Sequence, residues 1–131
     1  MSLVADMLRS SPARLAFEHD RLVECIEACI ECAQTCAACA DACLGEETVL
    51  HLRRCVATCV NCADICDVTG RVLSRPWGHD DAMTRAVLEA CQTACRQCAE
   101  ECERHAQMHE HCRLSAEACR RCERACAALL S

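Results

Sequence analysis

The chain has no lysine and no tyrosine, and its 131 residues include one tryptophan, one phenylalanine, three glycines and two prolines. Each scarcity removes something. Without lysine there is no amine for Schiff-base or general-base chemistry, and all 14 basic residues are arginine. One Trp and one Phe cannot build a stacking platform for single-stranded nucleic acid, and a net charge of −6 opposes binding to a phosphate backbone. No nucleic-acid partner is expected. The longest apolar runs fall far short of the roughly 18 residues of a membrane span, so no membrane partner is expected either. No phosphate loop, HExxH helix or nucleophile elbow is present, and no enzymatic activity is expected. Even ordinary core residues are few: Leu, Ile, Val and Phe total 24, low enough to make a purely aliphatic core doubtful.

What the chain has instead is cysteine, 18 residues of it, together with 22 alanines. The N-terminal stretch MSLVADMLRSSPARLAFEHD is broken by Asp6, Arg9 and Arg14 before an apolar run can build, so it does not read as a secretory signal. The expected location is the cytoplasm. That compartment keeps thiols reduced, and a cysteine-rich chain there is expected to bind metal rather than to be stapled by disulfides.

The cysteines fall in four segments with one grammar. The first, CIEACIECAQTCAACADAC, carries Cys25, Cys29, Cys32, Cys36, Cys39 and Cys43. The second carries Cys55, Cys59, Cys62 and Cys66; the third, Cys91, Cys95, Cys98 and Cys102; the fourth, Cys112, Cys119, Cys122 and Cys126. Steps alternating between 4 and 3 put one stripe along a helix, whereas a strand of period 2 would scatter these residues over both faces. Gly45 ends the first helix, the loop LSRPWGHDD ends the second, Asp80 or Asp81 caps the third, and the third and fourth meet near ERHAQMHEH. Connections this short make neighbours antiparallel. The expected fold is all-α: an antiparallel up-down four-helix bundle over residues 20–131, preceded by a short N-terminal helical arm over residues 1–19. Leu3, Val4, Met7 and Leu8 make the arm amphipathic, and it is expected to pack on the bundle end or a neighbouring subunit.

Thiols at i and i+4 on a helix stand with Cβ atoms roughly 5–6 Å apart, too far for the ~3.8 Å a disulfide needs. Thiols could also fill a narrow core simply as small hydrophobes, but packing alone would accept Ala, Val or Leu in these slots. Metal binding accounts for the regularity. Zinc favours closed four-ligand sites and iron–sulfur clusters favour loop cysteines; a soft monovalent ion accepting two thiolates suits helical pairs better, and soft thiolate sites select Cu(I). Uncompensated buried thiolates are prohibitive, so charge balance points to about one monovalent ion per cysteine, near ~18 per chain.

The two ends of the stripe differ. One runs out into Leu22, Leu73, Leu88 and Leu129, with Trp77 in the adjoining loop, and reads as a hydrophobic plug. The other runs through His105, Met108 and Cys112, with His51, His109 and His111 nearby, and reads as a mouth lined with soft and borderline ligands. His19 and His79 fall toward the plugged end.

The helix-borne CxxxCxxC ladders and CERHAQMHEHC resemble the cytosolic copper storage proteins, over roughly Asp20 to Leu130. The resemblance implies a cysteine-rich four-helix bundle that holds many Cu(I) ions and associates as a tetramer. It assigns copper binding to all the cysteines and assistance at the open end to His105, His109 and His111. Exported relatives have a secretion signal and a methionine-rich mouth; here only Met108 answers to the latter. Ser115 departs from the pattern, standing in a seam slot between Cys112 and Cys119.

The expected function is storage or buffering of cytosolic Cu(I), with a copper chaperone or copper enzyme as a further partner. The alternatives are an iron–sulfur or zinc-binding protein serving electron transfer or metal detoxification. Ile26, Ile30, Ala33, Ala37, Ala40 and Leu44 on the first helix, with Val56, Val60 and Ala63 on the second, leave apolar surface for a partner subunit or the arm.

Overall fold

In the computed structural model, residues 3–131 are described; Met1 and Ser2, the first residues of the expected arm, lie outside them. Helix formers fill long segments, and the breakers other than Gly70 fall between them. A short helix α1 (Leu3–Ser10) is followed by four long ones, α2 (His19–Leu44), α3 (Arg53–Leu73), α4 (Asp81–Glu103) and α5 (Glu110–Leu130). Pro12 lies just beyond α1, Gly45 just beyond α2, and Pro76 and Gly78 form a 3-10 turn between α3 and α4. A second such turn, Val49–Leu52, leads into α3. No strand occurs among the described residues.

Side chains satisfy the helix starts where the sequence offers a carboxylate. Glu18 accepts from the Arg21 N–H at 2.8 Å and opens α2. Asp80, one of the two expected caps, accepts from the Met83 N–H at 3.1 Å and opens α4. Each such cap contributes about 1 kcal/mol. Gly45 closes α2 in a right-handed conformation, its N–H donating to the Ala42 carbonyl at 3.1 Å while the Glu46 N–H donates to that of Cys43 at 3.2 Å.

The four long helices form a closed ring in chain order: α2 lies against α3 and α5, and α4 against α3 and α5. Consecutive members are antiparallel, which is the expected up-down bundle. Gly70 sits where α3 meets α2 closely; a Cβ there would stand 3.3 Å from the Cβ of Cys29. Across the surface, Arg121 of α5 reaches Glu24 and Glu31 of α2 at 2.9 and 3.1 Å, and Arg120 reaches Glu103 of α4 at 2.8 Å. Exposed pairs of this kind contribute ~1 kcal/mol or less each.

At the end that holds the α3–α4 connection, Leu22, Leu73 and Leu88 are fully buried and Leu129 nearly so, as the plug reading requires. Thr69, also buried, returns its hydroxyl to the Ile65 carbonyl at 2.7 Å. Trp77 does not join the plug. It is 86% exposed, because the 3-10 turn that carries it holds it outside the ring. His79 instead packs edge-on against Phe17, with ring centroids 6.1 Å apart.

The arm covers part of the apolar flank that the first helix leaves free. Leu3, Val4, Met7 and Leu8 surround a pocket with Ile26 and Ser74, and Phe17 packs on His79 at the plug end. Burying Leu8 against the fully covered Ile26 explains this placement. Ile30, Val60 and Val68 farther along α2 and α3 stay exposed.

Candidate metal centre

A stripe of period 3.5 on each of four helices converges on the bundle axis, and there it places all 18 cysteines, buried and as free thiols. Within a helix, Cys32 and Cys36, and likewise Cys62 and Cys66, bring their sulfurs to 3.7 Å. Between helices the approach is as close. Cys36 and Cys119 stand at 3.4 Å, Cys66 and Cys95 at 3.5 Å, Cys29 and Cys122 at 3.6 Å, Cys55 and Cys102 at 3.7 Å, and Cys25 and Cys126 at 3.8 Å. These are contact distances between unbonded sulfurs, well beyond the ~2.05 Å of a disulfide.

The sulfurs assemble into groups whose ligand atoms all lie within 4.8 Å of one another. Starting from the plug, Cys29, Cys91, Cys122 and Cys126 form one; Cys32, Cys66, Cys95 and Cys122 a second; Cys32, Cys36, Cys62 and Cys119 a third. Toward the mouth come Cys39, Cys55, Cys59 and Cys102, then Cys39, Cys43, Cys112 and His111. Cys122, Cys32 and Cys39 each belong to two groups. Such sharing suits ions that accept bridging thiolates, whereas closed zinc sites each want four ligands of their own.

Around the mouth the structure sorts the candidate residues. The Nδ1 of His111 lies 3.4 Å from the Cys39 sulfur and 3.6 Å from that of Cys112. Its Nε2 lies 2.8 Å from a Glu46 carboxylate oxygen, which also meets the His109 Nδ1 at 3.2 Å. The His109 and His111 rings are stacked, centroids 5.4 Å apart. His105 faces a different acid: its Nε2 is 2.9 Å from Glu101, a buried carboxylate that also receives Arg104 at 3.1 Å. His51, in the 3-10 turn before α3, and Met108, in the α4–α5 connection, are exposed at the same end. The structure therefore joins His111 directly to the sulfur network, ties His109 to it through Glu46 and ring stacking, and leaves His105 on Glu101.

Glu46 and Glu101 are the functional residues sequence reasoning passed over. Glu101 had a signal, since it stands four residues before His105 on one helix face. Glu46 had none, because only the folded chain brings the turn after Gly45 over the start of α5.

Electrostatics bear on what a metal must do here. Burial lifts the Cys43 thiol to about 11 and pushes Cys112 up as well. Cys29, Cys66 and Cys95 are raised first by hydrogen bonding to Cys122 and then by burial. An ion binding to these sulfurs displaces protons. The His111 imidazole beside Glu46 holds that carboxyl below the usual range.

Residues 18–131 match the family described as "Csp: Copper storage protein". Among solved structures, the chain is 55% identical to the copper storage protein Ccsp from Streptomyces lividans, described as loaded with 10 copper equivalents, over 97% of both chains with a TM-score of 0.94. A second structure, described as copper loading to a cytosolic copper storage protein from the same organism with five coppers, is 58% identical over 85% of this chain and 92% of that one, TM-score 0.83. No curated protein gives a significant match. No helix among the described residues is long and apolar enough to cross a membrane.

Proposed function

The chain belongs to the copper storage protein family, and from that premise we propose that it holds many Cu(I) ions at once, through thiolates lining the bundle core, as a reversible store without turnover. The observation that carries this reading is the sharing of Cys32, Cys39 and Cys122 between adjacent sulfur groups. A set of separate sites would have no use for shared ligands; a continuous bridged array requires them. With one monovalent ion for each thiolate the core is neutral, so the capacity approaches one ion per cysteine. The iron–sulfur and zinc alternatives have no support from the family or from the copper-loaded relatives.

Finer features rest on the geometry of the ends. Ions pass in and out at the histidine end, where His111 adjoins Cys39 and Cys112, with His105 and His109 around it and His51 and Met108 on the exposed rim. The cytoplasm is the location that fits reduced thiols and the cytosolic relative. Exposed Ile30, Val60 and Val68 on α2 and α3 support a homo-oligomer, a tetramer by the resemblance, with these side chains at the contact. A copper chaperone or copper enzyme is the further partner.

Titration of the reduced, metal-free protein with Cu(I) against a competing chelator tests the central reading, together with metal analysis of protein from copper-fed and copper-starved cells. Uptake of many ions per chain with no visible absorption is expected. Brown protein carrying iron, or saturation at one or two ions, would overturn it.

A further inference from the structure

Ser115 is fully buried in the thiol core. Its Oγ lies 3.5 Å from the Cys102 sulfur, 3.6 Å from that of Cys36 and 3.8 Å from that of Cys59. The three neighbours come from α4, α2 and α3, so all four long helices meet at this level, and α5 alone contributes oxygen. The level also lies between two runs of shared ligands. On the plug side, three sulfur groups linked through Cys122 and Cys32 reach Cys36; on the mouth side, two groups linked through Cys39 reach Cys59 and Cys102. Ser115 stands between them. One turn from Cys102 on α4, Cys98 meets the same three sulfurs, 3.9 Å from Cys36, 3.7 Å from Cys59 and 3.9 Å from Cys102.

We propose that Ser115 divides the store into a mouth pool that exchanges quickly and a deep store that exchanges slowly, with Cys98 as the relay between them. The proposal rests on the copper-storage reading. A neutral hydroxyl is a hard, weak donor for Cu(I), whereas a thiolate is a soft one. Ions that step from sulfur to sulfur therefore lack a foothold on α5 here and pass by way of Cys98. In that step the ion gains a bond to the Cys98 sulfur as its bond to Cys59 or Cys102 breaks. The Cys98 thiol proton goes to the sulfur released, and copper remains Cu(I) throughout. The mouth pool holds Cys39, Cys43, Cys55, Cys59, Cys102 and Cys112; the remaining cysteines beyond Cys98 form the larger, deep store.

The experiment loads the full-length protein with Cu(I) and follows removal by excess chelator. The native chain is expected to empty in two phases, the faster one smaller. Ser115→Cys supplies the missing thiolate and should speed the slow phase by about tenfold, the scale on which a single metal-site partner acts. Ser115→Ala should leave both phases. Cys98→Ser should slow the deep phase further while sparing the fast one, and it serves as the independent arm where Ser115→Cys does not fold, as judged by circular dichroism. A native chain that loads fully but empties in one phase overturns the partition and leaves bulk storage standing. Two phases unmoved by both Ser115→Cys and Cys98→Ser overturn it as well. Failure to load many ions overturns both readings.

Discussion

The Nδ1 of His111 faces the Cys39 sulfur at 3.4 Å while the opposite nitrogen, Nε2, faces Glu46 at 2.8 Å. A neutral imidazole has one N–H to give. The carboxylate takes it, which leaves the lone pair on the sulfur side, on the proposed route between solvent and Cys39. A histidine oriented for metal by an acidic partner is a recurrent arrangement.

Glu46→Ala should therefore slow transfer of copper from a Cu(I)–chelator complex by about tenfold, with final capacity unchanged. Timed transfer measures the rate and titration the capacity. Glu46→Gln keeps an acceptor and should fall between the two. Equal rates for native and Glu46→Ala would reduce the carboxylate to a solvated neighbour.

Replacing His105, His109 and His111 together by alanine tests the whole mouth. Loading and unloading should slow while capacity falls little, since imidazole binds Cu(I) more weakly than thiolate. Leu88→Ala at the other end should cost about 2–5 kcal/mol of stability and leave the rates alone. The reverse pattern, unchanged rates in the triple variant and faster ones in Leu88→Ala, would move the opening to the leucine end.

Single replacements in mid-core, such as Cys62→Ala, should lower capacity by a few ions at most. The Cys62 sulfur meets Cys32, Cys66, Cys95 and Cys119 at 3.7 to 3.9 Å, so its loss reaches only those neighbours. The cost in stability is about 1 kcal/mol, that of deleting one buried heavy atom. Complete loss of copper binding from one such change would mean a single cooperative cluster.

The metal-free bundle should weaken at alkaline pH. The Cys43 thiol sits near 11 in the folded chain against 9.0 when unconstrained, because burial disfavours its thiolate. Its folded form thus holds the proton more tightly, and the resulting stability is complete below pH 9.0 and lost as the pH rises to about 11. Thermal melts of the reduced protein across that window should show a falling Tm. A constant or rising Tm contradicts the assignment. Copper uptake should release protons at neutral pH, measurable in weakly buffered solution.

Far-ultraviolet circular dichroism of the reduced, metal-free protein should already show a helical bundle, because cysteine, alanine and the plug leucines pack the core without an ion. A coil spectrum that turns helical only on adding copper would mean metal-driven folding instead.

The four long helices and their stripe were legible because a 4,3 spacing of one residue type is a one-dimensional signal that survives without any structure. Gly45 and Asp80 were legible for the same reason, being local. Trp77 was misplaced because a hydrophobic residue in a loop carries no information about which way its turn faces. The arm's seat on Ile26 was legible as leftover apolar surface on the first helix, but the choice between the arm and a partner subunit was not, because both bury the same kind of side chain. Glu46 was invisible because its histidines lie more than sixty residues away along the chain. Ser115 was visible as an exception, but its meaning depends on Cys98 meeting the same three sulfurs, which no linear pattern displays.

The buried leucines at one end give the core a floor, and a narrow vessel with a floor keeps its contents in order of arrival. With the opening at the histidine end, as proposed, ions inside it would have no room to overtake. Those admitted first would settle against Cys25 and Cys126, and those admitted last would be the first to leave. Chasing one copper isotope with another would expose this sequence: early withdrawals would carry the later isotope. A cell that fills and draws modestly would turn over only the upper layer, and the copper at the floor would grow steadily older.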